Sequence, residues 1–164
     1  MTNTASVPIR AAQLSDARAI AELTMQLGYE VAPATLAERL KRLLPKDDQR
    51  FLVAEHDGDV VGWVHVVIVE YVDTGVYAEI GGLVVERRQR KKGVGKLLMT
   101  RAEEWAREKG CSVVRLRSSA VRTEAHRFYE GLGYSNIKTQ FTFVKAIGPA
   151  GAEAVRGFVP RVTT

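Results

Sequence analysis

Two glycines and a run of basic residues mark the segment whose residue types best suit chemistry. The sequence Arg90-Lys91-Lys92-Gly93-Val94-Gly95 follows a predicted strand and opens a predicted helix. A helix start leaves backbone N–H groups without partners and carries partial positive charge, so it suits a phosphate group. Glycines allow the backbone to approach such an anion closely. The segment therefore predicts a loop that binds a phosphate-bearing ligand.

The residues around these glycines agree with that prediction. No Ser, Thr, Asp or Asn stands immediately before the helix, which leaves its first N–H donors for a ligand. The basic run Arg87–Lys92 would attract a multiply charged molecule. The alternatives are a tight turn for the glycines and, for the basic run, a solvated loop or a nucleic-acid surface. A nucleic-acid surface would need aromatic residues among the basic ones, and this run has none.

Two other phosphate-binding motifs do not fit this segment. A P-loop requires Gly-Lys-Ser/Thr after four spacer residues, and the chain has no such sequence. A dinucleotide-binding fingerprint requires a third glycine, and Leu98 occupies that position. The ligand is therefore not expected to be bound in either of these two ways.

The elements that position this loop follow from hydrophobic periodicity. The predicted order is strand, two helices, three antiparallel strands, helix, strand, helix and closing strands. This order predicts an α/β fold with a mixed sheet, in a single domain over residues 1–148 followed by a tail, 149–164, of uncertain structure. The predicted strands are Ile9–Ala12, Phe51–Glu55, Val60–Val69, Val76–Val85, Val113–Arg117 and one or two within Ser135–Val144.

Local signals predict the boundaries of several elements. Ser15 and Thr123 are predicted helix caps, and Thr35 with Glu38 forms a capping-box pattern. Asp57-Gly58 predicts a type I′ turn between two strands.

Two motifs together resemble the signature of GCN5-related N-acetyltransferases. The first is Leu83-Val84-Val85 followed by Arg90-x-x-Gly93-x-Gly95, and the second is Tyr129-Glu130-Gly131-Leu132-Gly133-Tyr134 at the end of a helix. Their order and separation also match the family, and the resemblance covers roughly Phe51 to Lys145. It implies a GNAT-like fold, in which a mixed, mostly antiparallel central sheet is flanked by helices.

The resemblance implies acetyl-CoA as cosubstrate and assigns the residues that would bind it. The helix start would bind the pyrophosphate, and the preceding strand would offer backbone groups to the thioester, its oxyanion and the pantetheine. Many members carry an asparagine where this chain has Arg122, which could meet phosphate instead. The predicted cofactor-binding residues are Leu83, Val84, Val85, Arg90, Lys91, Lys92, Gly93, Val94, Gly95, Lys96 and Arg122.

Glu79 is the candidate general base. A lysine-like ammonium with a pKa of about 10.4 must lose a proton before it attacks a thioester, at a cost of roughly 4–5 kcal/mol at neutral pH. Glu79 precedes Gly93 by 14 residues, and its context Ala78-Glu79-Ile80 resembles the histone acetyltransferase branch, where that glutamate is the base. Burial would have to raise its pKa. The alternatives are a water chain as the proton acceptor and an exposed strand position for Glu79.

Tyr129 is the candidate general acid, since the resemblance implies that it protonates or hydrogen-bonds the departing CoA thiolate. Its alternative role is packing, because it shares an apolar stripe with Phe128 and Leu132. Gly81 and Gly82 are unusual within a strand. They indicate a bulge, a close approach of the cosubstrate, or tight packing against a helix.

Composition limits the classes of protein, cofactor and partner that remain. Net charge is +5, and no apolar run is long enough to span a membrane. The absence of a signal-peptide pattern and the single cysteine, Cys111, favour a cytoplasmic protein without disulfides. No metal is expected, and His56, His65 and His126 are interpreted as structural because they lack metal-ligand spacing. Neither a nucleic-acid partner nor a membrane partner is expected.

These observations predict an N-acetyltransferase that moves an acetyl group from acetyl-CoA to an amine by direct attack in a ternary complex. A small-molecule amine is slightly favoured over a peptide, because the chain has no appended recognition domain. Gly28–Ala34 and Ser135–Phe143 are the segments expected to select the acceptor. Open alternatives are a protein lysine or N-terminal acetyltransferase and a catalytically silent acyl-CoA-binding regulatory module. A homodimer is compatible with the resemblance.

Overall fold

The computed structural model of the chain describes residues 7–161. The chain divides into two compact units, Met1–Leu116 and Arg117–Thr164. The strands of the first unit are Ile9–Ala11 (β1), Gln49–His56 (β2), Asp59–Tyr71 (β3), Gly75–Val85 (β4) and Val114–Leu116 (β5). Its α-helices are Ala17–Met25 (α1), Pro33–Leu43 (α2) and Val94–Glu108 (α3). A single domain over residues 1–148 stays a prediction.

The five strands form one sheet in the order β1-β2-β3-β4-β5. The first four strands pair in antiparallel fashion, and β5 pairs in parallel with β4. A parallel neighbour requires a crossover connection, which α3 provides. The predicted α/β fold with a mixed, mostly antiparallel sheet is confirmed.

The hairpin between β2 and β3 fixes the register of the sheet. Asp57 has φ 51° and Gly58 has φ 83°, as the predicted type I′ turn requires at both central positions. A register shift between Ala54 and Glu55 follows the turn, after which Phe51 pairs with His65 and Val53 with Trp63. Because a slip of one residue would exchange the two faces of a strand, the turn and this shift together decide which side chains share a face.

The two faces of the sheet are covered by different helices. On the front face, Phe51, Val53 and Trp63 belong to a core with residues of α1 and α2, among them Ile20 and Leu40. On the back face, α3 packs against β3, and the Val94 and Leu98 side chains reach within 3.5 Å of the Cβ position of Gly62. Each fully buried aliphatic side chain stabilises the fold by about 1.5–3 kcal/mol.

A β-bulge interrupts β4 at Gly81. His65 pairs with Gly82 and Val66 pairs with Ile80, so Gly81 has no partner residue on β3. The next glycine has a packing role, because a Cβ at Gly82 would lie 2.6 Å from the six-membered ring of Trp63. Of the alternatives left open for these glycines, the bulge is present, and the group packed on Gly82 is the indole of Trp63 rather than a helix.

The predicted cap at Ser15 is wrong. Residues Leu14–Asp16 form a 3-10 turn, and α1 begins only after Asp16. The Asp16 carboxylate accepts hydrogen bonds from the backbone N–H of Gln13, at 2.8 Å, and from both terminal nitrogens of Arg10, at 2.8 and 2.9 Å. The chain entering α1 is thus held by a buried carboxylate, which leaves the neighbouring serine exposed.

The predicted capping box of the second helix is also wrong. The helix begins at Pro33, and Ala32 is its N-cap without a side-chain hydrogen bond. Proline suits the first helical position because its φ is already fixed and its missing N–H is not needed there. Thr35 therefore lies inside the first turn, and Glu38 pairs with Lys41 at 2.8 Å instead.

The second unit contains two α-helices, Thr123–Gly131 (α4) and Gly151–Arg156 (α5). Arg122, not Thr123, occupies the N-cap of α4, and no side chain caps this helix. The predicted cap is wrong because Thr123 already has helical geometry. The tail, residues 149–164, whose sequence shows no clear hydrophobic periodicity, thus contains one short helix, α5.

The strands predicted within Ser135–Val144 are not formed, since residues 135–147 have no regular secondary structure. Phe141 and Phe143 are each 91% exposed. Their alternation is typical of a strand, but a strand also needs a hydrogen-bonded neighbour. The described residues of the second unit, 117–161, include no strand that could serve as one.

Candidate active site

The glycine loop leaves the sheet through two short turns. β4 ends at Val85, and a 3-10 turn, Arg87–Gln89, follows it. The Glu86 carboxylate caps that turn by accepting a hydrogen bond of 2.7 Å from the backbone N–H of Arg88. Lys91, with φ 61°, and Gly93, with φ 86°, then turn the chain into α3. These left-handed residues bring the helix start directly after the strand end.

The start of α3 presents donors that no side chain satisfies. Gly93 is the N-cap and supplies no capping group, and the first helical hydrogen bond runs from the Leu97 N–H to the Gly93 carbonyl at 3.0 Å. The N–H groups of Val94, Gly95 and Lys96 therefore have no acceptor within the helix. A Cβ at Gly93 would meet no atom within 4 Å, so the space beside this N-cap residue is open.

The basic residues around the loop differ in whether their side chains bind the protein or face solvent. Arg90 turns back to the strand, where its Nε donates a hydrogen bond of 3.0 Å to the Val85 carbonyl. Lys91, Lys92 and Lys96 are exposed beside the open helix start. An anion at this position would therefore meet backbone donors together with lysine side chains.

Two of the predicted cosubstrate-binding residues have buried side chains. Val94 is 1% exposed and Val84 is 2% exposed, and both belong to the packed interior. Leu83 and Val85 are half-buried. At these two positions, one on β4 and one at the start of α3, only the backbone can meet a ligand.

Glu79 is buried at the front face of the sheet and forms an ion pair. It is 8% exposed, which excludes the alternative of an exposed strand position. It lies opposite Arg115 in the parallel pairing, and the Arg115 Nη2 donates a hydrogen bond of 2.8 Å to the Glu79 Oε2. Burial opposes the charge of the guanidinium, but the hydrogen bond and charge of Glu79 raise the pKa of Arg115. The pair is thus a carboxylate held against a permanent cation.

Aromatic rings extend the site beyond this ion pair. The Arg115 guanidinium lies 4.6 Å from the ring centroid of Tyr77, a cation–π distance. Tyr77 is itself stacked with Tyr71, with 6.2 Å between the ring centroids. Tyr77 is 5% exposed, whereas Tyr71 is 52% exposed. A row of three side chains, Arg115, Tyr77 and Tyr71, therefore leads from the buried Glu79 carboxylate to the surface.

His65 is a polar residue of this face that the sequence analysis treated as structural. Its ring stacks on Phe51 with 5.3 Å between centroids, and its Nε2 lies 2.7 Å from the Gln49 Oε1. Burial lowers the pKa of His65 below its usual value, so the imidazole is neutral at neutral pH. The relation of His65 to Glu79 follows from the register of β3 with β4, in which Val67 lies opposite Glu79.

Tyr129 and Arg122 belong to the second unit, on α4 and at its N-cap. The Tyr129 ring is half-buried and makes edge contacts with Phe128, at 5.2 Å, and Tyr134, at 6.0 Å between centroids. Burial raises the pKa of Tyr129, and the charge of Arg122 partly offsets this effect. The phenol is therefore protonated at neutral pH, as a proton donor must be.

The other reactive side chains have structural surroundings. The His126 Nε2 lies 2.9 Å from the Ser119 carbonyl, and Cys111 is buried. Among residues 7–161, no group of His, Cys, Asp and Glu is arranged to hold a metal ion. None of the helices within that range is both long and apolar enough to cross a membrane.

Comparison with known proteins places this arrangement in a family. The model of the acetyltransferase (GNAT) family matches residues 17–134. An aminoglycoside N(6')-acetyltransferase type 1 from Stenotrophomonas maltophilia is 28% identical over 151 residues, which are 89% of this chain and 98% of that protein. Glucosamine-6-phosphate N-acetyltransferase from Arabidopsis thaliana is 27% identical, with a TM-score of 0.73 over 85% of this chain and 98% of that one.

The fold also matches AAC(6')-Iy in complex with the bisubstrate analogue CoA-S-monomethyl-acetylneamine. The TM-score is 0.77 over 86% of this chain and 99% of that one, at 21% identity. The family match spans the strand, the glycine loop, α3 and the Tyr129 helix. The chain is therefore an N-acetyltransferase that belongs to the acetyltransferase (GNAT) family.

Proposed function

We propose that the chain transfers the acetyl group of acetyl-CoA to a small-molecule amine, by direct attack in a ternary complex. The observation that carries the proposal is the start of α3, which has open donors and open space at Gly93 directly after the strand that carries Glu79. A family of acetyl-transferring enzymes supplies the reaction class. Residues 1–148 act as one acetyltransferase domain, because the family match runs across the boundary between the two units.

The helix start would hold the pyrophosphate of acetyl-CoA. Its donors are the N–H groups of Gly93, Val94, Gly95 and Lys96, and the exposed lysines of the loop add charge. The backbone of Leu83–Val85 would bind the pantetheine and the thioester oxygen, while Arg122 would add a cation for a phosphate. Bound there, acetyl-CoA supplies an activated acyl group with a thiolate as leaving group.

The two candidate catalytic residues divide the proton transfers between them. Glu79, held by Arg115, takes a proton from the acceptor ammonium and leaves a neutral amine. Tyr129, with a raised pKa, keeps its proton at neutral pH and gives it to the departing thiolate. No covalent acyl-enzyme is needed, which agrees with the burial of Cys111.

A small-molecule acceptor is favoured by the similar proteins. One relative is named for aminoglycosides and one structural neighbour for glucosamine-6-phosphate, and both kinds of molecule contain an amino-sugar ring. Next to Tyr77, Tyr71 is 52% exposed and offers an aromatic face, and the partly exposed Arg115 adds a cation beside Glu79. Such a surface suits a polyhydroxylated amine, whose rings can lie against aromatic side chains.

Calorimetric titration of acetyl-CoA and of CoA tests the cosubstrate site. Gly93→Asp places a carboxylate at the helix start, and Gly58→Asp is its matched control. Both glycines have φ near the same positive value, 86° and 83°, and a Cβ on either would meet no atom within 4 Å. The backbone strain is therefore similar, and only Gly93→Asp should abolish binding.

A panel of amino sugars, polyamines and lysine peptides, assayed by thiol release, then tests the acceptor class. Turnover of an amino sugar with no turnover of peptides supports the proposal. Turnover of peptides alone would favour a protein acetyltransferase. Binding of acetyl-CoA without turnover of any amine would favour a silent acyl-CoA-binding module, and a folded protein that binds no CoA would contradict the cosubstrate site.

A further inference from the structure

His65 and Glu79 share the front face of the sheet on either side of the glycine bulge. β3 is regular between His65 and Val67, so these two residues point to the same face, and Val67 lies directly opposite Glu79. We propose, given the acetyl transfer proposed above, that His65 relays the proton taken from the acceptor ammonium away from Glu79. Gln49 is the positioning residue of this relay.

Gln49 determines which imidazole nitrogen can accept a proton. The Gln49 Oε1 lies 2.7 Å from the His65 Nε2, and a carbonyl oxygen can only accept a hydrogen bond. The Nε2 therefore carries the hydrogen, and the Nδ1 keeps its lone pair. After protonation both ring nitrogens are donors, and the Gln49 carbonyl stabilises the imidazolium that results.

The bulge opens the other side of the ring. The Nδ1 lies 3.3 Å from the position that a Cβ on Gly81 would occupy, and Gly81 itself is exposed. Diagonal neighbours on one sheet face have Cα atoms about 7–8 Å apart, which is the expected separation of His65 and Glu79. A water molecule beside Gly81 could bridge such groups, since it would find polar partners on both sides.

The charged groups on this face of the sheet are held in ion pairs. Arg115 pairs with Glu79, and Arg10, the register partner of Val53, pairs with Asp16 and Glu55. The residues that α1 and α2 bury against the sheet are apolar, including Ile20, Leu23 and Leu40. The ionisable residues of those helices are exposed: Arg18, Glu22, Glu38, Arg39, Lys41 and Arg42. Burial keeps the imidazole neutral before it receives a proton.

The relay carries one proton from the ammonium to solvent. One N–H bond of the ammonium breaks, its electron pair stays on nitrogen, and the proton passes from Glu79 through water to the His65 Nδ1. The neutral amine then forms the C–N bond as the C–S bond breaks. The second amine proton reaches the CoA sulfur by way of Tyr129. The imidazolium finally releases its proton to solvent, so ammonium and thioester give amide, thiol and one proton.

The pH dependence of kcat/KM tests the relay, with His65→Gln as the variant. Glutamine can still hydrogen-bond Gln49 but cannot carry the proton. At about neutral pH we expect kcat/KM to fall by about 10-fold or more. The deficit should shrink as the pH approaches the pKa of the acceptor amine, because the amine then arrives unprotonated. His56→Gln, at an exposed histidine of the hairpin, should follow the wild-type profile.

Two further measurements separate the relay from a structural role. Gly81→Ala places a methyl group against the Nδ1 and should reproduce the pH-dependent deficit with the histidine still present. The ¹⁵N spectrum of the wild-type imidazole, without any substrate, should show the hydrogen on Nε2. A wild-type profile for both variants, a deficit equal at every pH, or the hydrogen on Nδ1 would each overturn the relay.

These outcomes are distinct from a failure of the proposed function. If wild-type protein acetylates an amine while His65→Gln behaves as wild type, only the relay is wrong. If wild-type protein binds acetyl-CoA but acetylates no amine, the proposal of acetyl transfer is wrong, and the proposed relay is then wrong as well.

Discussion

Glu79 and Arg115 are direct register partners across the parallel β4–β5 pair, and a hydrogen bond of 2.8 Å joins the Glu79 Oε2 to the Arg115 Nη2. The carboxylate is buried, whereas the guanidinium side chain is 32% exposed. The crossover helix that starts at the glycine loop also brings β5 beside β4. One topological unit therefore provides both the open helix start and the cation that holds the candidate base.

Glu79→Gln should reduce kcat/KM by about 100-fold, the loss expected when a general base is removed. The affinity for acetyl-CoA, measured by calorimetry, should not change, since Glu79 is not among the residues proposed to bind it. Glu55→Gln is a matched control, because Glu55 is also a strand glutamate paired with an arginine, Arg10. If the Glu79→Gln variant had wild-type turnover, the proton acceptor would be water and not Glu79.

Tyr129→Phe should reduce kcat by about 10- to 100-fold and leave acetyl-CoA affinity unchanged. Because burial raises the pKa of Tyr129, its phenol keeps the proton throughout the neutral range. The wild-type rate should therefore show no basic limb from this group below about pH 10. Tyr134→Phe, which alters the ring in edge contact with Tyr129, is the control. Equal loss in both variants would indicate a packing role.

His65 should make stability depend on pH in a defined direction. Its pKa is lowered in the folded state by burial, so the unfolded chain binds more protons between the folded pKa and about 6.5. Stability should then rise with pH across that interval and stay level, with respect to this group, above it. Urea unfolding of wild type and His65→Gln at about pH 5 and about pH 8 measures the effect. The variant should be less sensitive to this change of pH than the wild type.

Asp16→Asn should destabilise the first unit by about 1–2 kcal/mol. The buried Asp16 carboxylate loses its charge while Arg10, one-third exposed, keeps its pairing with Glu55. The hydrogen bonds from Arg10 outweigh burial and lower the pKa of Asp16. This contribution is therefore present above about pH 4 and lost as the pH falls through the lowered pKa. Asp57→Asn, 89% exposed, should leave the urea midpoint unchanged.

Local patterns were sufficient to predict the parts of the fold that short stretches of chain determine. The Asp57-Gly58 turn needs only two left-handed residues, and the start of α3 needs only an uncapped glycine. The strands predicted within Ser135–Val144 failed because a strand depends on a neighbour elsewhere in the chain. The cap predictions were wrong for α1 and α2 because another local group, the Asp16 carboxylate or Pro33, fixes where each helix begins.

Sequence motifs named part of the candidate site. The residues whose placement depends only on strand register were missed. Gly93 and Glu79 were named as candidates because the spacing between them and the sequence around them resemble the family motif. The Glu79–Arg115 pair depends on which residue of β5 lies opposite β4, and no local pattern fixes that register. His65 was missed for the same reason, since its relation to Glu79 depends on the register between β3 and β4.

Gly82→Ala should cost about 1–3 kcal/mol of stability, because its methyl group would have to enter a space that Trp63 already fills. The Cβ would lie 2.6 and 2.7 Å from two ring atoms of an indole that is 7% exposed and stacked on Phe51 at 5.1 Å. The ring cannot move aside without disturbing the front-face core. Gly131→Ala is the control, since a Cβ there meets no atom within 4 Å and alanine favours a helix. Urea unfolding should therefore separate the two variants, and equal stability would mean that the indole can retreat from β4.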